Sequence, residues 1–357
     1  MYIRRNMKHK INICFLLAII LLSLSCTGRS GYVRIEGYAQ GGTYSVIFNT
    51  EGVDKAPTEI RDSVESILKK IDFTLSGYNK SSVLSRFNAG ETVVVDEMFA
   101  EIYSMGYDVW EETGGAVDVS FSPLYDLWGF GFKNGSLPTA MQVDSVMSFC
   151  GMGLCRESIT DLIGKELEPA DLYHESLGLV SPQLNYNAIA QGYSCDLVAR
   201  YLYSIGVKDM MVNIGEIFCD GKNPSGLAWT IGIDRPEDGN NELGAQLQGV
   251  FSVPEGPHGV VTSGNYRKFY VKDGKKYAHT IDPRTGYPVT HNLLSATIVA
   301  ADAMIADAYA TYCMVVGFEE AKAFIESRED LEGCLVYDDG GEFVTWCSAG
   351  LETRKAM

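Results

Sequence analysis

The sequence predicts an α+β fold, with helices and strands mixed outside the regular strand–helix–strand order of a doubly wound sheet. Three observations carry this. Amphipathic helical stretches come early, strand-like runs crowd the later part, and no dinucleotide or phosphate-loop glycine fingerprint follows a strand.

Tyr32-Val33-Arg34-Ile35-Glu36-Gly37 reads as the first strand. Thr58 to Phe73 places Ile60, Val64, Ile67, Leu68 and Ile71 at helical spacing, and Phe99 to Glu112 does the same with Ile102, Met105, Val109 and Trp110. A third helix is expected from Asn187 to Ile205, with Ile189, Tyr193, Leu197, Val198, Tyr201 and Leu202 on its apolar face and Gly206 to stop it. Met210 to Ile214, Trp229 to Ile233 and Leu294 to Val299 suit a sheet. Ala301 to Val316 returns to helix, Glu319 to Ile325 forms a short one, and strands close the chain near Cys334 to Val336 and Phe343 to Trp346. No internal repeat or low-complexity tract interrupts this order.

The N-terminus carries Arg4, Arg5, Lys8 and Lys10, then the apolar run Ile13 to Leu22, then small residues and Cys26. That is the pattern of a secretory signal, with an apolar run too short for a membrane span. Cys26 after Ser23-Leu24-Ser25 resembles a lipoprotein processing site, although Leu usually stands three positions before such a Cys. The expected organisation is a leader over residues 1–25 and one domain over 26–357, lipid-anchored through Cys26 on the periplasmic side of a membrane. A plain secreted protein cut nearby is the alternative. Loss of the leader moves the formal charge from −17 to about −21. With no basic stripe anywhere, this surface excludes a nucleic-acid partner.

The chain holds nine cysteines and no Cys-x-x-Cys spacing, so zinc and redox chemistry are not indicated. Cys195 and Cys313 lie in apolar helical segments and read as small core residues. A Cys150–Cys155 link is open in an oxidising compartment.

Glycine gathers in apparent turns with polar residues: Gln40-Gly41-Gly42-Thr43, Thr113 to Asp118, Asn213-Ile214-Gly215-Glu216, and Thr262 to Arg267. Such loops bring backbone N–H groups close to an anion, although each alone is more often just a plain turn. The stretch His279 to Pro288 packs an imidazole, the Asp282 carboxylate and the Arg284 guanidinium between turn formers. His279 suits a general base; a structural turn in which Asp282 caps Thr285 and pairs with Arg284 is the other reading. Further on, Asp307 and Thr311 share one helix face at four-residue spacing, a pair of hard oxygen donors for magnesium or simply a solvated face.

Read in order, these segments resemble the ApbE family of FAD:protein FMN transferases. The blocks are Gly42-Thr43-Tyr44, Ser76-Gly77-Tyr78 with Ser85-Arg86-Phe87-Asn88, Gly115 to Asp118, Trp128 to Gly131, Ala188 to Tyr193, Thr262 to Arg267, and His279 to Pro288. The resemblance implies an ApbE-like mixed fold with the FAD site between sheet and helices. It implies FAD contacts at Gly41, Tyr78, Ala116, Val117, Asp118, Asn185, Gln191 and Ile281. Magnesium would be held by the Ala188 carbonyl and the Asp307 and Thr311 side chains, and transfer chemistry would fall to His279 and Asp307. Four positions depart from the family pattern: Gly41 for Met, Asn185 for Asp, Gln191 for Lys, and Glu216 for a second glycine. The loss of one acid and one base at Asn185 and Gln191 suggests a swapped charge pair. The implied reaction moves FMN from FAD to a Ser or Thr hydroxyl of an acceptor flavoprotein, a subunit of a periplasm-facing redox complex, and releases AMP. Hydrolysis of FAD to FMN and AMP, and a non-catalytic FAD-binding lipoprotein, are the alternatives, with a purely structural lipoprotein the blandest one.

Overall fold

The computed structural model describes residues 31–130, 137–174, 182–237, 240, 244–265, 269–272, 275–351 and 353–354. The expected leader over 1–25 and the expected lipidation residue Cys26 lie outside the described residues.

One eight-stranded sheet organises the chain. Its strands are β1 (Tyr32–Ala39), β2 (Gly42–Asn49), β3 (Met210–Asn213), β4 (Ile217–Asp220), β5 (His258–Gly264), β6 (Leu293–Ala300), β7 (Glu332–Asp339) and β8 (Glu342–Cys347). They lie side by side in that order, every neighbouring pair antiparallel. The five long helices come between β2 and β3 and between β6 and β7, and two strands of a small second sheet come between β4 and β5. That gives α+β rather than a doubly wound fold.

Period-two alternation assigns the two faces. Val46 and Phe48 of β2, Val261 of β5 and Ile298 of β6 enter the large core, whereas Ile47, Val260 and Val299 face a smaller one behind the sheet. Helices α1 (Pro57–Leu75), α2 (Glu97–Glu112), α3 (Ala190–Ser204), α4 (Ala303–Val316) and α5 (Phe318–Glu326) supply the large core. Behind the sheet sits a three-stranded sheet of Thr230–Asp234, Leu247–Ser252 and Thr353–Arg354, so the strand expected at Trp229 to Ile233 packs on the back layer.

Local chemistry explains the helices. In α1 the buried Ile60, Val64, Leu68, Ile71 and Leu75 recur every three or four residues, Pro57 opens the first turn, and the Glu59 carboxylate accepts the Ala56 N–H at 2.8 Å. Asp96 caps α2 by accepting the Phe99 N–H at 2.8 Å. Helix α3 starts at Ala190, three residues later than the spacing suggested. The Asn185 side chain accepts the Asn187 N–H at 2.9 Å and holds that stretch in a turn instead. It ends before Gly206 at φ 91°, as expected.

Two expectations are corrected, and the open question of a Cys150–Cys155 link is decided. Thr262 to Gly264, read as a turn, complete β5 and pair with β6. Gly42 and Thr43 belong to β2, and the turn proper is Gln40-Gly41 at φ 52° and 80°, the left-handed pair that joins twisted hairpin strands. Cys150 and Cys155 are both free and buried, and the disulfide joins Cys334 to Cys347, directly opposed on β7 and β8 with Cα atoms 4.1 Å apart. Cys195 and Cys313 are fully buried core residues.

Candidate functional site

A cleft of about 1830 Å³ opens between the β1–β2 hairpin, the start of α3, the inner face of α4 and the Thr113–Asp118 turn. It exceeds the ~300–1,000 Å³ of ordinary small-molecule sites, leaving room for an extended ligand plus a second reactant. Its lining includes Gly41, Tyr78, Ala116, Val117, Asp118, Ala188, Gln191, His279, Ile281, Asp307 and Thr311. Asn185 is the exception: it lines an adjoining cavity of about 440 Å³ that shares Tyr78, Asn187 and Ala190 with the cleft.

His279 is positioned by its neighbours. Thr280 donates to the Asn265 side chain at 2.6 Å, and Ile281 pairs with Pro288 across a short hairpin. The hairpin turn is held by Asp282, which accepts the Arg284 N–H at 2.9 Å and its guanidinium at 3.0 and 3.1 Å. The structural reading of the Asp282 and Arg284 pair therefore holds, and His279 lines the cleft beside that hairpin. Trp128 donates its indole N–H to the Gly286 carbonyl at 2.8 Å, tying the Trp128 block to this hairpin.

In the Thr113–Asp118 turn, Ala116 and Val117 bury their side chains, and the Asp118 carboxylate folds inward, accepting from Ser120 N–H and Oγ and from the Met152 N–H. Burial pushes its carboxyl above the usual range. Backbone groups are what this turn offers a ligand. Tyr78 by contrast is 68% exposed on the rim of the cleft.

Asp307 is 5% exposed and accepts one hydrogen bond, from the Gly192 N–H at 3.1 Å. Burial pushes its carboxyl well above the usual carboxylate range; the Gly192 bond opposes this and the nearby Asp196 charge adds to it. No basic side chain among the described residues pairs with it. A buried carboxylate so placed fits a hard cation, as do a hydroxyl one turn on at Thr311 and a carbonyl at Ala188. The described residues form no cluster of three or more His, Cys, Asp or Glu able to hold a metal. Magnesium needs none, since it keeps waters and takes ligand phosphates.

At the departures from the family pattern, Gln191 donates to the Ile214 carbonyl at 3.3 Å and packs on Gly215, while Asn185 serves its own turn. The two side chains make no bond to each other, so a swapped pair has no support. A Cβ at Gly41 would meet nothing within 4 Å. Glu216 lines the cleft and accepts the Thr262 N–H at 3.3 Å. The sequence reading missed Asp196, a buried acid on α3 signalled only by its place on an apolar helix face.

The layered α+β fold gathers an exposed aromatic ring, an imidazole and a buried carboxylate around one oversized cleft. The model of the ApbE family matches residues 40–335, and the chain belongs to that family. It is 33% identical over 324 residues to a FAD:protein FMN transferase of Escherichia coli strain K12, covering 88% of this chain and 86% of the relative. The Pseudomonas stutzeri flavinyl transferase ApbE, in its apo form, superposes with a TM-score of 0.75 at 30% identity, over 89% of this chain and 95% of that one. The Flavin Transferase ApbE from Vibrio cholerae gives 0.72 at 28%, over 89% and 97%.

Proposed function

We propose that this protein transfers the FMN half of FAD onto a Ser or Thr hydroxyl of an acceptor flavoprotein and releases AMP. The observation that carries the reading is Asp307, a buried carboxylate with no basic partner among the described residues, in the same cleft as His279 and in a chain whose relatives are named for this transfer. Tyr78 would stack on a flavin ring, and the backbone of the Ala116–Asp118 turn would meet the polar parts of FAD. His279 would take the proton of the acceptor hydroxyl as its oxygen bonds to the FMN-side phosphorus, while the bond from that phosphorus to the AMP oxygen breaks and AMP leaves. A magnesium ion held by the Ala188 carbonyl, Asp307 and Thr311 would neutralise charge on the pyrophosphate.

The proposal extends to placement. The basic and apolar leader and Cys26 support lipid anchoring on the periplasmic side, with the acceptor a subunit of a periplasm-facing redox complex. A sheet drawn from Tyr32 to Cys347 supports a single domain over 26–357. The test is chromatography of FAD incubated with protein and magnesium, with and without an acceptor domain. AMP that appears only with acceptor, and is lost in Asp307→Ala, is expected. Acceptor-independent FMN and AMP would replace transfer by hydrolysis, and intact FAD would leave a binding protein.

A further inference from the structure

Two helix starts in this site lack local caps. Helix α3 begins after Ile189, which has no acceptor in its side chain, and α4 begins after Asp302, whose side chain makes no cap bond. The first amides of a helix need acceptors from elsewhere. Here each helix takes its acceptor from the other. Asp196 on α3 accepts the Ala303 and Met304 N–H groups of α4 at 2.8 and 2.9 Å. Asp307 on α4 accepts the Gly192 N–H of α3 at 3.1 Å.

Close packing leaves this arrangement little freedom. A Cβ at Gly192 would lie 2.2 Å from the Ala303 carbonyl oxygen, and one at Gly259 of β5 would lie 2.2 Å from the Ala303 Cα. Asp196 itself is 3% exposed. A cap from Asp302 would satisfy the same amides yet tie α4 only to its own loop. The cap from Asp196 ties α4 to α3, and with it Asp307, one turn beyond Ala303, and Thr311, two turns beyond.

We propose that Asp196 is a positioning residue for the cation site: by capping α4 from α3 it fixes the Asp307 and Thr311 oxygens against the Ala188 carbonyl that leads into α3. The proposal rests on the reading of those three groups as cation ligands. Groups behind metal ligands commonly change affinity by about 10–100-fold when altered. Asp196→Asn keeps the volume but presents one oxygen where two amides need acceptors.

The experiment measures Mn2+ binding by electron paramagnetic resonance on purified protein without FAD. The expected result is dissociation about tenfold weaker in Asp196→Asn, at the low end of that range, with metal-free FAD binding, read by flavin fluorescence quenching, unchanged. A variant with lowered thermal stability but wild-type Mn2+ affinity would overturn the proposal, since Asp196 would then be a structural cap alone. Should the variant not fold, hydrogen exchange of the wild-type protein decides: Mg2+ should slow the Ala303 and Met304 amides, and unchanged exchange would overturn the proposal. A wild-type protein that binds no Mn2+ would instead sink the cation reading, and this proposal with it.

Discussion

Replacing Gly192 by Ala is the sharpest probe of how the site is built. The added Cβ would stand 2.2 Å from the Ala303 oxygen, 2.5 Å from its carbonyl carbon and 2.8 Å from the Met304 Cα, all backbone atoms that no rotamer change can clear. Ordinary contact begins near 3.4 Å, so α3 and the start of α4 must part by about 1 Å. Overpacking of a closed core costs roughly 1–3 kcal/mol, and the upper end is expected because the clash is with backbone. The same shift stretches the Gly192 bond to Asp307, now 3.1 Å, and a misplacement of about 1 Å can lower a rate by about 10²-fold. Urea unfolding and an acceptor-labelling rate measure the two effects. A variant with native stability and native rate would refute the cross-braced account of the two helices.

Other perturbations separate chemistry from scaffold. His279→Ala should slow transfer by roughly 10²–10⁴-fold with FAD affinity retained, as measured by single-turnover labelling and fluorescence titration. His291 accepts the Leu293 N–H at Nδ1 at 3.3 Å and donates its Nε2–H to the Met314 carbonyl at 2.9 Å, which sets the neutral tautomer. Burial holds its pKa below the ordinary 6.5, so the unfolded chain binds the proton more readily. The stability this group contributes is present above pH 6.5 and is lost as pH falls below 6.5 through the folded value; His291→Gln should flatten the change in urea midpoint between pH 7.5 and 5.5. Reducing Cys334–Cys347, which closes a loop of separation 13, should cost about 3 kcal/mol in the same unfolding assay and leave FAD binding unchanged, since both residues lie outside the cleft.

Much of the fold was legible because apolar spacing is a local signal. Ile60 through Ile71, and Gly206 after α3, marked helices the packing then kept. Strands β2 and β5 were harder. Their glycines and short polar residues, as in Thr262-Ser263-Gly264, imitate turns, and only pairing with distant strands makes them extended. The disulfide escaped for the same reason, since the opposition of Cys334 and Cys347 depends on register across a hairpin. In the site, the ordered blocks brought most of the expected residues to one cleft. The sequence could not show that Asp118 turns inward, that Asn185 opens to the neighbouring cavity, or that Asp196 and Asp307 cap each other's helices, because each depends on tertiary hydrogen bonds.

The central claim is tested most directly by the intact mass of an acceptor domain after incubation with this protein, FAD and magnesium. The account predicts a gain equal to one FMN joined through a phosphoester at a single Ser or Thr, absent with Asp307→Ala. An acceptor of unchanged mass, under conditions where FAD is bound, would contradict it.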